Sequence, residues 1–214
     1  WEKLHSTRDW GKYPSEEVIK FYKKSITNHK ADPKVLDAGA GKGSCSWFMV
    51  KEGGNVTAFD GSVSALNSIS SLTNEFNLNK NIKTVKGNII NPKKFFKEKF
   101  DIIVDNISLC VNLENQVTEA YNQYYDLLNQ NGDFLTICLG ENSTGFKTGL
   151  KISSKTYDQV PIGCMKDRGI ITWFDKMFLQ KLFIKIGFKI ISYTNILNET
   201  DSIIIEKHIF HLKK

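Results

Sequence analysis

The chain has 214 residues, 41% hydrophobic and 24% charged, long enough to bury one core and without the internal repeats or low-complexity linkers that would split it. The net charge of +6 is almost wholly lysine, Arg8 and Arg168 being the only arginines, which argues against a nucleic-acid footprint and predicts an evenly solvated lysine surface. No apolar run approaches the ~20 residues of a membrane span and no signal-peptide pattern opens the chain, so a soluble cytoplasmic protein without nucleic-acid or membrane partners is expected.

Trp1 stands where a Met would open a complete chain, so native residues ahead of it are expected. Residues 1–14 are aromatic and polar, and they carry His5, Arg8, Trp10 and Tyr13 as candidate ligand contacts, Tyr13 being restrained by the proline that follows. Ser15 then reads as the N-cap of a helix from Glu16 to Asn28.

The most informative stretch is Val35-Leu36-Asp37-Ala38-Gly39-Ala40-Gly41-Lys42-Gly43, an apolar strand ending in an acid and then glycines at every second position. Such glycines let the backbone turn tightly and approach a ligand, while Ser44 to Lys51 starts a helix whose free N–H groups face the same space. A phosphate-cradling P-loop is excluded, because Leu36 stands where its first glycine belongs and Gly43 where its hydroxyl belongs. The dinucleotide fingerprint does not call for Asp37 two residues before its first glycine.

A second strand, Asn55 to Phe59, stops at Asp60 and Gly61, and Asp60 lies 23 positions beyond Asp37. That is near the ~20-residue offset at which α/β nucleotide folds place the acid that accepts ribose hydroxyls. Ser62 to Asn77 is an amphipathic helix with Val63, Leu66, Ile69, Leu72 and Phe76 on its apolar side. A third strand, Ile82 to Val85, runs into Gly87-Asn88-Ile89, and a fourth, Phe100 to Asn106, is an apolar run bounded by polar residues, as suits a strand buried on both faces.

Helix Glu114 to Asn129 and the Asn131-Gly132 turn lead to strand Asp133 to Leu139. Residues 140–172 show little periodicity, and a connection longer than ~15 residues usually serves as a lid or binding loop; it carries Glu141, Lys147 and Arg168 as candidate acceptor contacts. Helix Phe174 to Ile186, closed by Gly187, precedes strands Phe188 to Tyr193 and Ser202 to Phe210. Their link, Thr194 to Asp201, is too short for a helical crossover, so an antiparallel pair is expected.

The D-x-G-x-G-x-G loop, the paired acid at Asp60 and the strand order resemble the class I S-adenosylmethionine-dependent methyltransferases, from Val35 to about Lys207. The resemblance implies a doubly wound, mostly parallel seven-stranded α/β sheet with an antiparallel terminal hairpin. It implies a single domain over residues 1–214, with a cap and helix at 1–30, a cofactor-binding core at 31–139, an acceptor lid at 140–172 and a terminal helix and hairpin at 173–214. It places S-adenosylmethionine, and its product S-adenosylhomocysteine, on Asp37, Gly39, Ala40, Gly41, Gly43, Asp60, Gly61, Asn88, Ile89, Asp105 and Asn106, with Trp10 and Tyr13 over the methionine end. Asn88 departs from the family's usual acid, although its carbonyl oxygen can still meet the adenine amino group.

The wording of residues 1–17 and 145–175 is similar to small bacterial methyltransferases of surface-polysaccharide biosynthesis, which implies O-methylation of a sugar, nucleotide-sugar or phosphate-bearing capsule precursor held by Arg8, Glu141, Lys147 and Arg168. Asp105 and His5 are the candidate bases, His5 because its pKa suits proton removal near neutrality. Asp105-Asn106-Ile107-Ser108 lacks the proline-aromatic run of amino-methylating relatives, and Cys110 lacks the preceding proline of cytosine C5 enzymes. A metal-dependent variant would draw on Asp105, Glu141 and Asn142, whereas the main expectation uses no metal. A non-catalytic partner subunit and a nicotinamide-dependent oxidoreductase are the rival classes. Cys45, Cys110, Cys138 and Cys164 have no C-x-x-C spacing and are expected as reduced thiols. Oligomeric state is not legible.

Overall fold

Alternating apolar runs and amphipathic helices wind the chain into one sheet covered on both faces. The computed structural model describes residues 1–7, 11–29 and 32–214. Strands β1 (Lys34–Ala38), β2 (Asn55–Asp60), β3 (Ile82–Lys86), β4 (Phe100–Asn106) and β5 (Leu128–Leu139) run parallel, and the closing pair β9 (Lys189–Thr200) and β10 (Ile203–Lys213) is antiparallel. Their spatial order is β3-β2-β1-β4-β5-β10-β9. The chain steps outward from β1 to β3 and then returns to the other side of β1, leaving a crevice at the carboxyl ends of β1 and β4.

Residues alternate across the sheet, and the alternation builds two cores. Val35, Val56, Ile102, Val104 and Leu135 pack under α2 (Glu16–Ile26) and α3 (Ser44–Lys51). Leu36, Phe59, Ile103 and Phe134 pack under α5 (Glu114–Leu127) and α6 (Lys176–Ile186). Helices α1 (Glu2–Thr7) and α4 (Val63–Glu75) lie against each other beyond β2.

Several boundaries shift for local reasons. Ser15 occupies the N-cap position of α2 without a side-chain cap hydrogen bond, whereas Asp175 caps α6 by accepting from Phe178 N–H. Helix α5 ends two residues early because Leu128 is already paired with Phe100 in the sheet. Residues 129–132 bow out after it, with Asn131 at φ 64 and the Asn131 N–H donating to Lys214. The expected Thr194 to Asp201 link is mostly strand: β9 continues to Thr200 and turns on Asp201 and Ser202, at φ 51 and 64. Positive φ at both central residues matches the twist of a two-residue hairpin.

Residues 140–172 are folded. They form a small sheet, β6 (Leu150–Lys151), β7 (Thr156–Asp158) and β8 (Ile171–Thr172), in that order. Thr172 secures it to the turn after β4 through its N–H to Cys110 carbonyl at 2.8 Å and its hydroxyl to Asn112 carbonyl at 2.7 Å. At the far end of the main sheet, buried Asp133 accepts from His29 Nε2 at 2.8 Å and His211 Nε2 at 2.6 Å, tying the turn after α2 to β5 and β10. The four cysteines are free thiols, and no described helix is long and apolar enough to cross a membrane.

Candidate functional site

A cavity of about 750 Å³ opens at the carboxyl ends of β1, β2 and β4, a size that suits a small-molecule ligand. Its floor is the glycine loop, with Asp37, Gly39, Ala40 and Gly41 in the lining. Gly39 has φ +75, and a Cβ there would lie 2.2 Å from Ser108 Cβ, so only glycine lets the turn after β4 close on this loop. Ser108 Oγ donates to the Gly39 carbonyl at 3.0 Å and fastens the two together. Gly43 serves packing: a Cβ would meet Ile69 of α4 at 2.5 Å, and the residue does not line the cavity.

Asp60 bridges two backbone turns. One carboxylate oxygen accepts from Gly41 N–H at 2.9 Å, the other from Ser62 N–H at 2.8 Å, and Asp60 and Gly61 both face the cavity. Asp37 is buried and accepts from Ser46 Oγ at 2.5 Å; burial, reinforced by the charges of Asp60 and Asp105, raises its carboxyl to about 7. Asn88 and Ile89 line the wall beyond β3, where Asn88 Oδ1 accepts from Ile90 N–H at 3.2 Å. Asn106 lines the opposite wall and directs its amide at Cys45 Sγ, 3.7 Å away.

Asp105 does not reach the cavity, which corrects its expected roles as base and cofactor contact. It is fully buried and accepts from Ser108 N–H at 2.9 Å, Leu109 N–H at 3.0 Å and Thr136 Oγ1 at 2.8 Å. Burial still lifts its carboxyl to about 6 against those bonds. The turn that it clamps contains Ile107 at φ 59, a conformation that β-branched residues rarely adopt, and both Ile107 and Ser108 face the cavity. Asp105 therefore acts by holding the lining turn in a strained shape.

Helix α1 covers the opening over the glycine loop. Its Glu2 carboxylate takes the Ser64 N–H at 3.1 Å and the Ser64 hydroxyl at the start of α4, and these bonds pull its pKa to about 2. His5 is buried against Gly41, and desolvation lowers its pKa below the usual histidine value, so it is held neutral. Arg168 and Met165 bring the 140–172 segment to the cavity edge.

Three other expected contacts lie elsewhere. Tyr13 is 69% exposed and stands edge-on to Trp47. Glu141 faces Lys155 at 3.8 Å, and Lys147 lies over the Phe146 ring. Arg8 and Trp10 fall outside the described residues. The alternative metal set does not converge either, since Asn142 gives its N–H and side-chain amide to Glu206 while Asp105 is enclosed behind the turn. Sequence reasoning missed Ser108, which meets Gly39 across 69 positions with no local signal. It also missed Trp1 and Glu2, whose only signal was the aromatic and polar character of the leading segment.

The family model described as a methyltransferase domain matches residues 29–169. No curated protein matches the chain in sequence. Among solved structures, the chain is similar to a SAM-dependent methyltransferase from Methanosarcina mazei, at 15% identity and TM-score 0.74, covering 94% of this chain and 98% of that one. It is also similar to the 1,6-didemethyltoxoflavin-N1-methyltransferase of Burkholderia thailandensis, solved with 1,6-didemethyltoxoflavin and S-adenosylhomocysteine, at 16% identity and TM-score 0.68, covering 93% and 78%. Similarity to TehB from Haemophilus influenzae, at 16% identity and TM-score 0.69, covers 94% of this chain but only 62% of that protein's length. At these identities the likeness is one of fold.

Proposed function

The chain belongs to the methyltransferase domain family, and from that premise we propose that its cavity binds S-adenosylmethionine and delivers the methyl group to a hydroxyl of a small acceptor. The observation that carries this reading is the closed joint between the glycine loop, Asp60 and Ser108. It leaves a side-chain-free floor, flanked by the carboxyls of Asp37 and Asp60, under a 750 Å³ space. A nucleoside with a cationic sulfonium tail matches that donor set: Asp60 for the ribose hydroxyls, Asn88 and Ile89 for adenine, and the Gly39 to Gly41 backbone with Asp37 and Asn106 for the methionine end.

The bound sulfonium supplies an activated methyl group. The protein's part is to align the acceptor, exclude water and take up a proton. With Asp105 enclosed, His5 is the base of this proposal, because its ring lines the cavity in its neutral, proton-accepting form. Residues 140–172 serve as the acceptor lid, beside the cofactor core at 31–139. Arg168 at the cavity edge supports an anionic acceptor, in keeping with a phosphate-bearing sugar or nucleotide-sugar of capsule biosynthesis.

Calorimetric titration tests the reading directly. S-adenosylmethionine and S-adenosylhomocysteine should both bind with one site per chain; silence from both, or binding of NAD in their place, rejects it. Turnover with phosphorylated and unphosphorylated sugars then separates an enzyme from a non-catalytic partner subunit of the same fold.

A further inference from the structure

The positive charge is not spread evenly, contrary to the expectation from composition. Residues 80–99 contain Lys80, Lys83, Lys86, Lys93, Lys94, Lys97 and Lys99 against Glu98 alone, a net +6 that equals the charge of the whole chain. Taking these 7 from the 29 basic residues and this 1 from the 23 acids leaves 22 of each, so the remainder of the protein is neutral. The stretch comprises β3, which is the outer strand of the sheet, and the connection from it to β4.

All seven lysines are exposed. Glu98 reaches back to Lys83 at 3.5 Å, so the connection lies along the β3 flank, and Asp126 of α5 pairs with Lys93 at 2.7 Å. Lys80, Lys86, Lys94, Lys97 and Lys99 have no ion-pair partner among the described residues. Between Lys94 and Lys97 the ring of Phe95 is 43% exposed, with its inner side resting on Phe59 and at Gly87. Lys86 lies both on the charged flank and in the cavity lining.

We propose that this flank is a docking surface for an anionic lipid bilayer, which would present the cavity mouth to the membrane face. Three features favour a bilayer over a nucleic acid. Every cation in the stretch is lysine, a compact charge suited to a diffuse surface potential, with none of the guanidinium forks used for individual phosphates. Of the seven, only Lys86 lines either described cavity, so the charges lie on an outer edge and not in a groove that could track a strand. Phe95 offers a single apolar wedge between lysines, as interfacial anchors do, its inner side already occupied by Phe59. The inference stands apart from the cofactor assignment, since lipid binding is read without cofactor or turnover.

Co-sedimentation of the full chain with vesicles tests it, using phosphatidylcholine alone and phosphatidylcholine mixed with phosphatidylserine. Partition should require the anionic lipid and weaken steeply with salt. The double variant Lys94→Gln, Lys97→Gln should lower it by about 25-fold, from roughly fivefold per lysine near the surface. Lys185→Gln with Lys189→Gln, on exposed residues of α6 and β9, makes the same change in net charge and should leave partition nearly intact. Both variants alter only exposed side chains, and circular dichroism and melting confirm that each is folded. The proposal is overturned by equal binding to neutral vesicles, by equal losses in the two variants, by absence of vesicle binding, or by single-stranded RNA or polyglutamate binding in place of the vesicles.

Discussion

Asp37 keeps its proton to about pH 7 because burial disfavours its charged form and two further acids lie near. A cationic ligand reverses that preference, favouring the carboxylate, so binding below neutrality must expel the proton. Affinity for S-adenosylmethionine is therefore predicted to rise with pH, by at most about tenfold per unit, and to level off above about 7. Calorimetry in buffers of different ionisation enthalpy should detect the released proton, and Asp37→Asn should flatten the profile. Asp105 predicts a different signature. Removing its charge weakens three hydrogen bonds that hold the Ile107 turn, so Asp105→Asn should cost about 1–3 kcal/mol in urea unfolding and weaken cofactor binding as well. Loss of turnover at unchanged stability would restore it as a base. Gly39→Ala should cost about 1–3 kcal/mol through its φ alone and displace Ser108, with cofactor affinity down at least tenfold by titration. At this scale the sequence made Asp37, Gly39 and Asp60 legible because a strand end and a glycine rhythm are local. Ser108 was illegible because its partner is set by which strands become neighbours, and Asp105 was misread because burial behind a turn leaves no mark on spacing.

Helix α1 is short, yet it closes the cavity by two attachments: Glu2 on the first turn of α4 and His5 on the glycine loop. An acid at a helix start gains from the free N–H groups there. Glu2→Gln should leave the rest of the fold intact while faster hydrogen exchange appears in residues 1–7 and cofactor affinity drops severalfold. Unchanged exchange in that helix would show that Glu2 does not hold it. The helix itself had no periodic signal, since six residues are under two turns. By contrast β4 and α3 begin and end where the sequence places them, because an unbroken apolar run and a glycine-to-serine start each admit one interpretation. The closing hairpin was legible as a pair but not in length, since alternation fades on a solvent-facing edge strand such as β9.

Acid titration probes the whole molecule, because Asp133 joins three elements far from the cavity. Its partners hold the folded carboxyl at about 2, below the ~3.9 of an unfolded chain, so its contribution is present above about pH 4 and lost as pH falls toward 2. That amounts to roughly 2–3 kcal/mol. Asp37 and Asp105 have raised values and act with the opposite sign, costing the cofactor-free protein stability as pH climbs from about 4 to 7. Urea unfolding should thus show a maximum near pH 4–5, and added S-adenosylmethionine should move that maximum toward neutrality; a flat profile would remove both assignments. The architecture was legible almost throughout, since strand order follows from short connections and buried runs, while the compact folding of residues 140–172 rests on backbone and side-chain ties that periodicity does not register.

Those ties also bear on how such a protein can diversify. Because Thr172 fastens the small sheet to the backbone at Cys110 and Asn112, the segment and the cavity turn behave as a single plug. If residues 140–172 hold the acceptor as proposed, a chimera that imports them from a relative should recruit a new acceptor only when the 107–113 turn travels with them as part of the same cassette.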